Sequence, residues 1–170
     1  MSTMQAATAY AQDHQEEALA SLKDLLRIPS ISTLPEHDGD IHAAAQWLAG
    51  RLNHLGFSAV SLLETAGHPI VYGEWMNAGE NAPTLLVYGH YDVQPPDPLE
   101  DWESPPFEPT IRGDDLYARG ASDMKSQLIA HLSAVEAILQ GGSLPVNVKY
   151  LLEGEEEIGS PNLEAFIQKH

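Results

Sequence analysis

The sequence contains no cysteine. That excludes disulfides, thiolate zinc sites and thiol nucleophiles, and leaves His, Asp and Glu as the only side chains able to hold zinc. Basic residues are scarce too: 8 Lys and Arg stand against 25 Asp and Glu, a formal net charge of −17. A surface of that sign repels phosphate backbones and anionic bilayers, so neither nucleic acid nor a membrane is expected as a partner. No apolar run approaches the roughly 20 residues that cross a bilayer. Met1 to Asp24 lacks a basic stretch followed by an apolar one, so no signal peptide is expected. With the missing cysteines, this points to the cytoplasm. Also missing are a Gly-x-Ser-x-Gly nucleophile elbow, a Walker-type phosphate loop and a dinucleotide fingerprint. What is present is 43% apolar residues in a chain of 170, enough for one domain with a real core.

Apolar periodicity predicts the elements. Leu19, Leu22, Leu25 and Leu26 recur at helical spacing in a polar stretch from about Ala7 to Arg27, which Pro29 ends. A second helix is expected from Asp40 to Leu55, capped by Gly56, and a third from Lys125 to Gln140, stopped by Gly141-Gly142. Strands are expected over Phe57 to Leu63, Ile70 to Trp75 and Val146 to Leu152. The short apolar run Pro83 to Gly89 reads as a buried central strand. Pro95 to Pro109 is a loop, and two short strands flank Gly113-Asp114. Ser160-Pro161 is placed to open a last helix, with serine as the cap. Helices alternating with apolar strands predict an α/β fold with a mixed, largely parallel sheet flanked by helices.

Three polar clusters follow predicted strands: Gly89-His90-Tyr91-Asp92, Gly120 to Lys125 with Asp123 at its centre, and Glu153-Gly154-Glu155-Glu156-Glu157. Ligands of open α/β sheets bind beyond the carboxyl ends of the strands. Four glutamates in five positions cannot all stay ionised in a desolvated place; they either splay into water or share a cation. His90 and Asp92, two apart on extended backbone, point the same way. A metal-bound imidazole commonly has its other N–H held by a carboxylate, which suits His90 as a ligand and Asp92 as its orienter. The remaining seven histidines have no such setting, and His131 lies beside Leu128 and Leu132.

At this point the motifs themselves are recognisable. Leu86 to Pro95, then Trp102 with Pro106-Phe107, Leu116 to Gly120, Asp123-Met124-Lys125 and Glu155 to Ser160 resemble, in order, a large family of co-catalytic dinuclear zinc peptidases. That family includes carnosine-type dipeptidases, glutamate carboxypeptidase, aminoacylase and succinyl-diaminopimelate desuccinylase. The Val93-Gln94-Pro95 ending is closer to the dipeptidase branch. The resemblance implies a zinc-exopeptidase-like catalytic domain of which residues 1–170 are the N-terminal part, without the inserted lid and dimerisation domain. It implies two divalent ions, zinc or manganese, with His90 on one, Glu157 on the other and Asp123 bridging. Glu156 would be the general acid/base and Asp92 the support of His90, while Glu155 is left without a role and is expected to be exposed. A cis peptide bond is implied between Asp123 and Met124. The implied reaction is hydrolysis of the amide bond of a dipeptide or short peptide, full-length relatives being homodimers. The alternatives are deacylation of an N-acyl amino acid or a non-catalytic fragment with an incomplete metal site. An acidic interaction module without metal leaves the ordered motifs unexplained.

Overall fold

The computed structural model describes residues 2–170. The predicted first helix is two: α1 (Thr3–Asp13) and α2 (Gln15–Leu26). The break is at His14, whose ring stacks on Tyr10 and whose Nδ1 lies 2.8 Å from the Tyr10 carbonyl that also accepts its main-chain N–H. A side chain competing for a helical carbonyl in this way ends the turn. The start lies earlier than Ala7 because Ser2 and Gln5 form a reciprocal capping box. Helix α3 (Asp38–His54) follows, with Gly56 at φ +79° in the expected capping place.

Strands β1 (Ser58–Leu63), β2 (Ile70–Trp75) and β3 (Thr84–His90) come next, then the hairpin β4 (Thr110–Arg112) and β5 (Asp115–Tyr117). Helix α4 (Lys125–Gly141), strand β6 (Asn147–Glu153) and helix α5 (Leu163–Lys169) complete the order. The main sheet runs β1-β2-β6-β3. It is mixed and flanked by helices, as expected. The expected predominance of parallel pairing is not found: β3–β6 is parallel, whereas β1–β2 and β2–β6 are antiparallel.

Alternation along β2 and β6 turns Val71, Trp75, Val148, Tyr150 and Leu152 to one face. There they meet Ile41, Leu48 and Leu52 of α3 and Leu128 and Leu132 of α4 in a single core. The opposite face carries Tyr72, Leu86, Lys149 and Leu151, with Phe166 of α5 against it. Among the described residues no helix is long and apolar enough to cross a membrane.

β3 corrects one expectation. It is an edge strand in this chain, not a central one, with Leu85, Leu86 and Tyr88 exposed. An apolar run signals a strand built for contact, but its neighbours are set by long-range pairing. Ser160 corrects another: α5 begins at Leu163, with Asn162 in the cap position. The serine hydroxyl is engaged elsewhere, as described below.

Candidate metal centre

β3 and β6 run in parallel register and end side by side, with His90 paired to Glu153. The chain beyond β3 stays extended because it is fixed on both sides. Tyr91 N–H donates to Glu153 O (2.9 Å), Val93 N–H to Ser30 O (2.9 Å), and Ser30 Oγ–H to Tyr91 O (2.6 Å). Tyr91 is fully buried, and its ring lies so close to Gly154 that a Cβ there would stand 2.7 Å from it. Only glycine lets β6 turn away at that point. Asp123 arrives differently from the sequence expectation. Its preceding strand, β5, belongs to the hairpin and not to the main sheet, so Asp123 enters from the N-terminal side of α4. The Asp123–Met124 peptide is cis, as the resemblance implies.

Asp92 is completely buried and is the hub. Its Oδ1 accepts the main-chain N–H of Glu156 (3.2 Å) and its Oδ2 that of Glu157 (3.1 Å). The same Oδ1 lies 3.2 Å from His90 Nδ1. The other ring nitrogen, His90 Nε2, lies 3.1 Å from Asp123 Oδ1 and 3.8 Å from Glu156 Oε2. Asp92 is therefore shut away behind the imidazole, while the side chains of Asp123 and Glu156 are 71% and 45% exposed. One face of this group is thus open to solvent.

Burial alone would lower the His90 pKa. The hydrogen bond and charge of Asp92, helped by Glu156 and Asp123, outweigh it and raise the pKa to about 9. The same contact holds Asp92 below its ordinary value, against the opposing effect of its own burial. With an unfolded value near 6.5, His90 adds stability in full below that pH. The contribution is lost as pH rises through about 9, because the folded state then gives up a proton the unfolded state has already lost. Urea titrations of the metal-free chain should carry this as a His90-dependent downward slope between pH 6.5 and 9.5, superposed on the opposite slope from Lys125, whose pKa burial lowers to about 7. His90→Gln should flatten the downward slope, and an unchanged slope in the variant would remove His90 as its source.

Glu157 is placed differently. Its carboxylate Oε2 accepts from Gln94 Nε2 (2.9 Å), as does its carbonyl (3.0 Å), and it reaches the hub only through its N–H. The structure thus brings His90, Asp92, Asp123 and Glu156 into side-chain contact, and Glu157 alongside them on the same turn. Among the described residues no group of three or more His, Asp or Glu side chains is spaced to enclose an ion. The donor types nevertheless suit a divalent ion: one imidazole nitrogen and several carboxylate oxygens on an open face.

Glu155 was expected in solvent and is buried instead. Asn162 Nδ2 donates to both its oxygens (3.1 and 2.9 Å), and Gly67 leaves room for it, since a Cβ at Gly67 would meet Glu155 Oε1 at 1.9 Å. Neither partner is near in sequence, although an Asn seven residues on is a donor that local reading could weigh. The glutamate run therefore sorts itself: Glu153 and Glu155 inward, Glu156 toward the open face. Trp102 is a loop staple, its Nε1 donating to Pro96 O at 2.7 Å with Arg119 against the ring. His131 is a satisfied histidine, 2.5 Å from Tyr150 Oη, with its pKa lowered by burial.

Known proteins resemble this chain in sequence and in fold. The sequence model of peptidase family M20/M25/M40 matches residues 86–170, half of the chain, and spans all three polar clusters. A cysteinylglycine-S-conjugate dipeptidase from Corynebacterium striatum is 33% identical over 152 residues, covering 86% of this chain and 32% of the relative. A succinyl-diaminopimelate desuccinylase from Thiobacillus denitrificans is 39% identical over 142 residues, covering 83% and 34%. The crystal structure of the M20 family metallo-carboxypeptidase Sso-CP2 from Sulfolobus solfataricus superposes with a TM-score of 0.82 at 48% identity, covering 90% of this chain and 34% of that one. The chain spans about a third of the length of the curated relatives it matches.

Proposed function

Because the chain belongs to peptidase family M20/M25/M40, we propose that it carries part of the active site for metal-dependent hydrolysis of the amide bond in dipeptides or short peptides. The observation that supports this most is the convergence of His90, Asp123 and Glu156 on one open face, with the buried Asp92 behind them. His90 and Asp123 would hold one divalent ion, Asp123 and Glu157 the other, with zinc the best match to the imidazole and carboxylate donors. Such ions, when bound, polarise the scissile carbonyl and lower the pKa of a water. Glu156 accepts the proton of the attacking water and delivers it to the departing amine. Asp92 keeps the His90 ring in one orientation and fixes the main chain of Glu156 and Glu157, so that base and ligand hold a constant relation.

The family arrangement calls for three protein ligands on each ion, counting the bridge twice, and this chain offers two for each. The reaction is accordingly assigned to a polypeptide that completes the set, and the 170-residue chain by itself is expected to be inactive. The likeness to a relative named a desuccinylase supports a second reading, cleavage of an N-acyl amino acid by the same residues. Dipeptides and N-acyl amino acids should be offered in parallel to a longer protein bearing this sequence, with and without a chelator. Dipeptide hydrolysis that stops on chelation and returns with zinc is the expected result. Faster turnover of the N-acyl substrate would favour the second reading, and hydrolysis indifferent to chelation would overturn both.

A further inference from the structure

The turn bearing Glu156 and Glu157 is a single 3₁₀ turn, Glu156–Ile158, between strand β6 and helix α5. Asp92 fixes its entry through the two main-chain N–H groups described above. Its exit consists of two left-handed residues, Gly159 at φ +87° and Ser160 at φ +50°. Glycine takes that conformation freely, but serine is held in it only when its surroundings favour it. Here Ser160 N–H donates to Glu155 O at 2.8 Å and Ser160 Oγ–H to Glu153 Oε1 at 2.8 Å. Glu153 is 2% exposed, the last residue of β6, and opposite His90 in the ladder. The same Oε1 accepts the Tyr88 hydroxyl from β3.

We infer that Glu153 is a positioning residue: through Oε1 it ties the exit of the catalytic turn to β3 and β6 and so sets where Glu156 and Glu157 stand relative to His90. The inference rests on the roles proposed above for Glu156 and Glu157, but the frame itself is a property of the metal-free chain. One carboxylate oxygen joins three segments. Asp92 and Glu153 are then the two ends of one clamp. Losing either should free the turn while leaving the sheet intact.

Three variants of the 170-residue chain separate this from simple packing. Glu153→Met fills similar space without an acceptor. Glu153→Gln keeps an oxygen for both donors. Ser160→Gly suits the left-handed backbone and removes the hydroxymethyl group that reaches Glu153. Amide hydrogen exchange followed by NMR should show Glu156, Glu157 and Ser160 exchanging at least about tenfold faster in Glu153→Met and Ser160→Gly, with Leu151 and Leu152 of β6 unchanged. Glu153→Gln should stay within about threefold of the parent. Zinc titrated into the same samples should bind about 10- to 100-fold more weakly in the first two variants. Unchanged exchange at Glu156 and Glu157 in Ser160→Gly would overturn the inference, as would a Gln variant as loosened as the Met variant. If the parent takes up no zinc, the metal reading fails, and the exchange rates still decide the role of Glu153. If Glu153→Met does not fold, Ser160→Gly decides it.

Discussion

Alanine in place of Glu156 should lower amide hydrolysis by a complete enzyme carrying this sequence by about 10²- to 10⁴-fold, the usual worth of a general acid–base group, without reducing its metal content. The structure explains why the two effects separate. The Glu156 carboxylate is 45% exposed and approaches only the His90 ring, at 3.8 Å. What the fold uses of Glu156 is its main-chain N–H, donated to Asp92 Oδ1 at 3.2 Å, and alanine retains that group. His90, Asp123 and Glu157 keep their own supports. Initial rates on a dipeptide, together with metal content by mass spectrometry, check both halves. Full activity would remove Glu156 as the base, and loss of metal along with activity would make it a ligand instead.

Asp92→Ala should have the largest effect on stability, a loss of about 3–5 kcal/mol, the cost of removing one partner of a buried charged pair. Asp92 is fully buried and faces a histidine that it helps to keep protonated. Its removal takes the carboxylate from beside His90 Nδ1, which keeps only the residue-92 carbonyl at 3.2 Å, and leaves two main-chain N–H groups without their acceptor. Against a typical total of about 5–15 kcal/mol, that is a large fraction. Asp92→Asn should fall between, since one amide oxygen can still accept while the amide nitrogen faces a donor. The urea midpoint of each variant at pH 7 measures this directly. A midpoint unmoved in Asp92→Ala would mean that the turn and the histidine are held by other contacts.

Much of this centre was readable from residue order, because its parts are local. His90 and Asp92 share a side of an extended segment, and the sequence places them together correctly. Asp123 reaches His90 as the motif order implies, and the cis bond stands where the resemblance puts it. Errors arose where the outcome depends on distant partners. Glu155 looks like a solvent charge until Asn162 and Gly67 are brought against it. Ser160 reads as a helix cap, but its hydroxyl is taken by the strand-end carboxylate of Glu153. The run Thr84–His90 has the composition of a central strand, and only its pairing shows that it is an edge. The long first helix is interrupted by a stacking contact between Tyr10 and His14 that apolar periodicity does not register. Periodicity thus located the elements, while side-chain partners from far along the chain decided how the glutamate turn is built.

In the proposed function, His90 and Asp123 form one half of a divalent-metal site at the ends of β3 and β6. Anomalous diffraction at the zinc edge, from crystals of this chain grown with zinc, tests it most directly. Anomalous density is expected at about 2.0–2.2 Å from His90 Nε2 and from an Asp123 carboxylate oxygen, the ordinary zinc–ligand distances. Density confined to the separate cleft of His14, His54 and Glu136, with none beside His90, would contradict it.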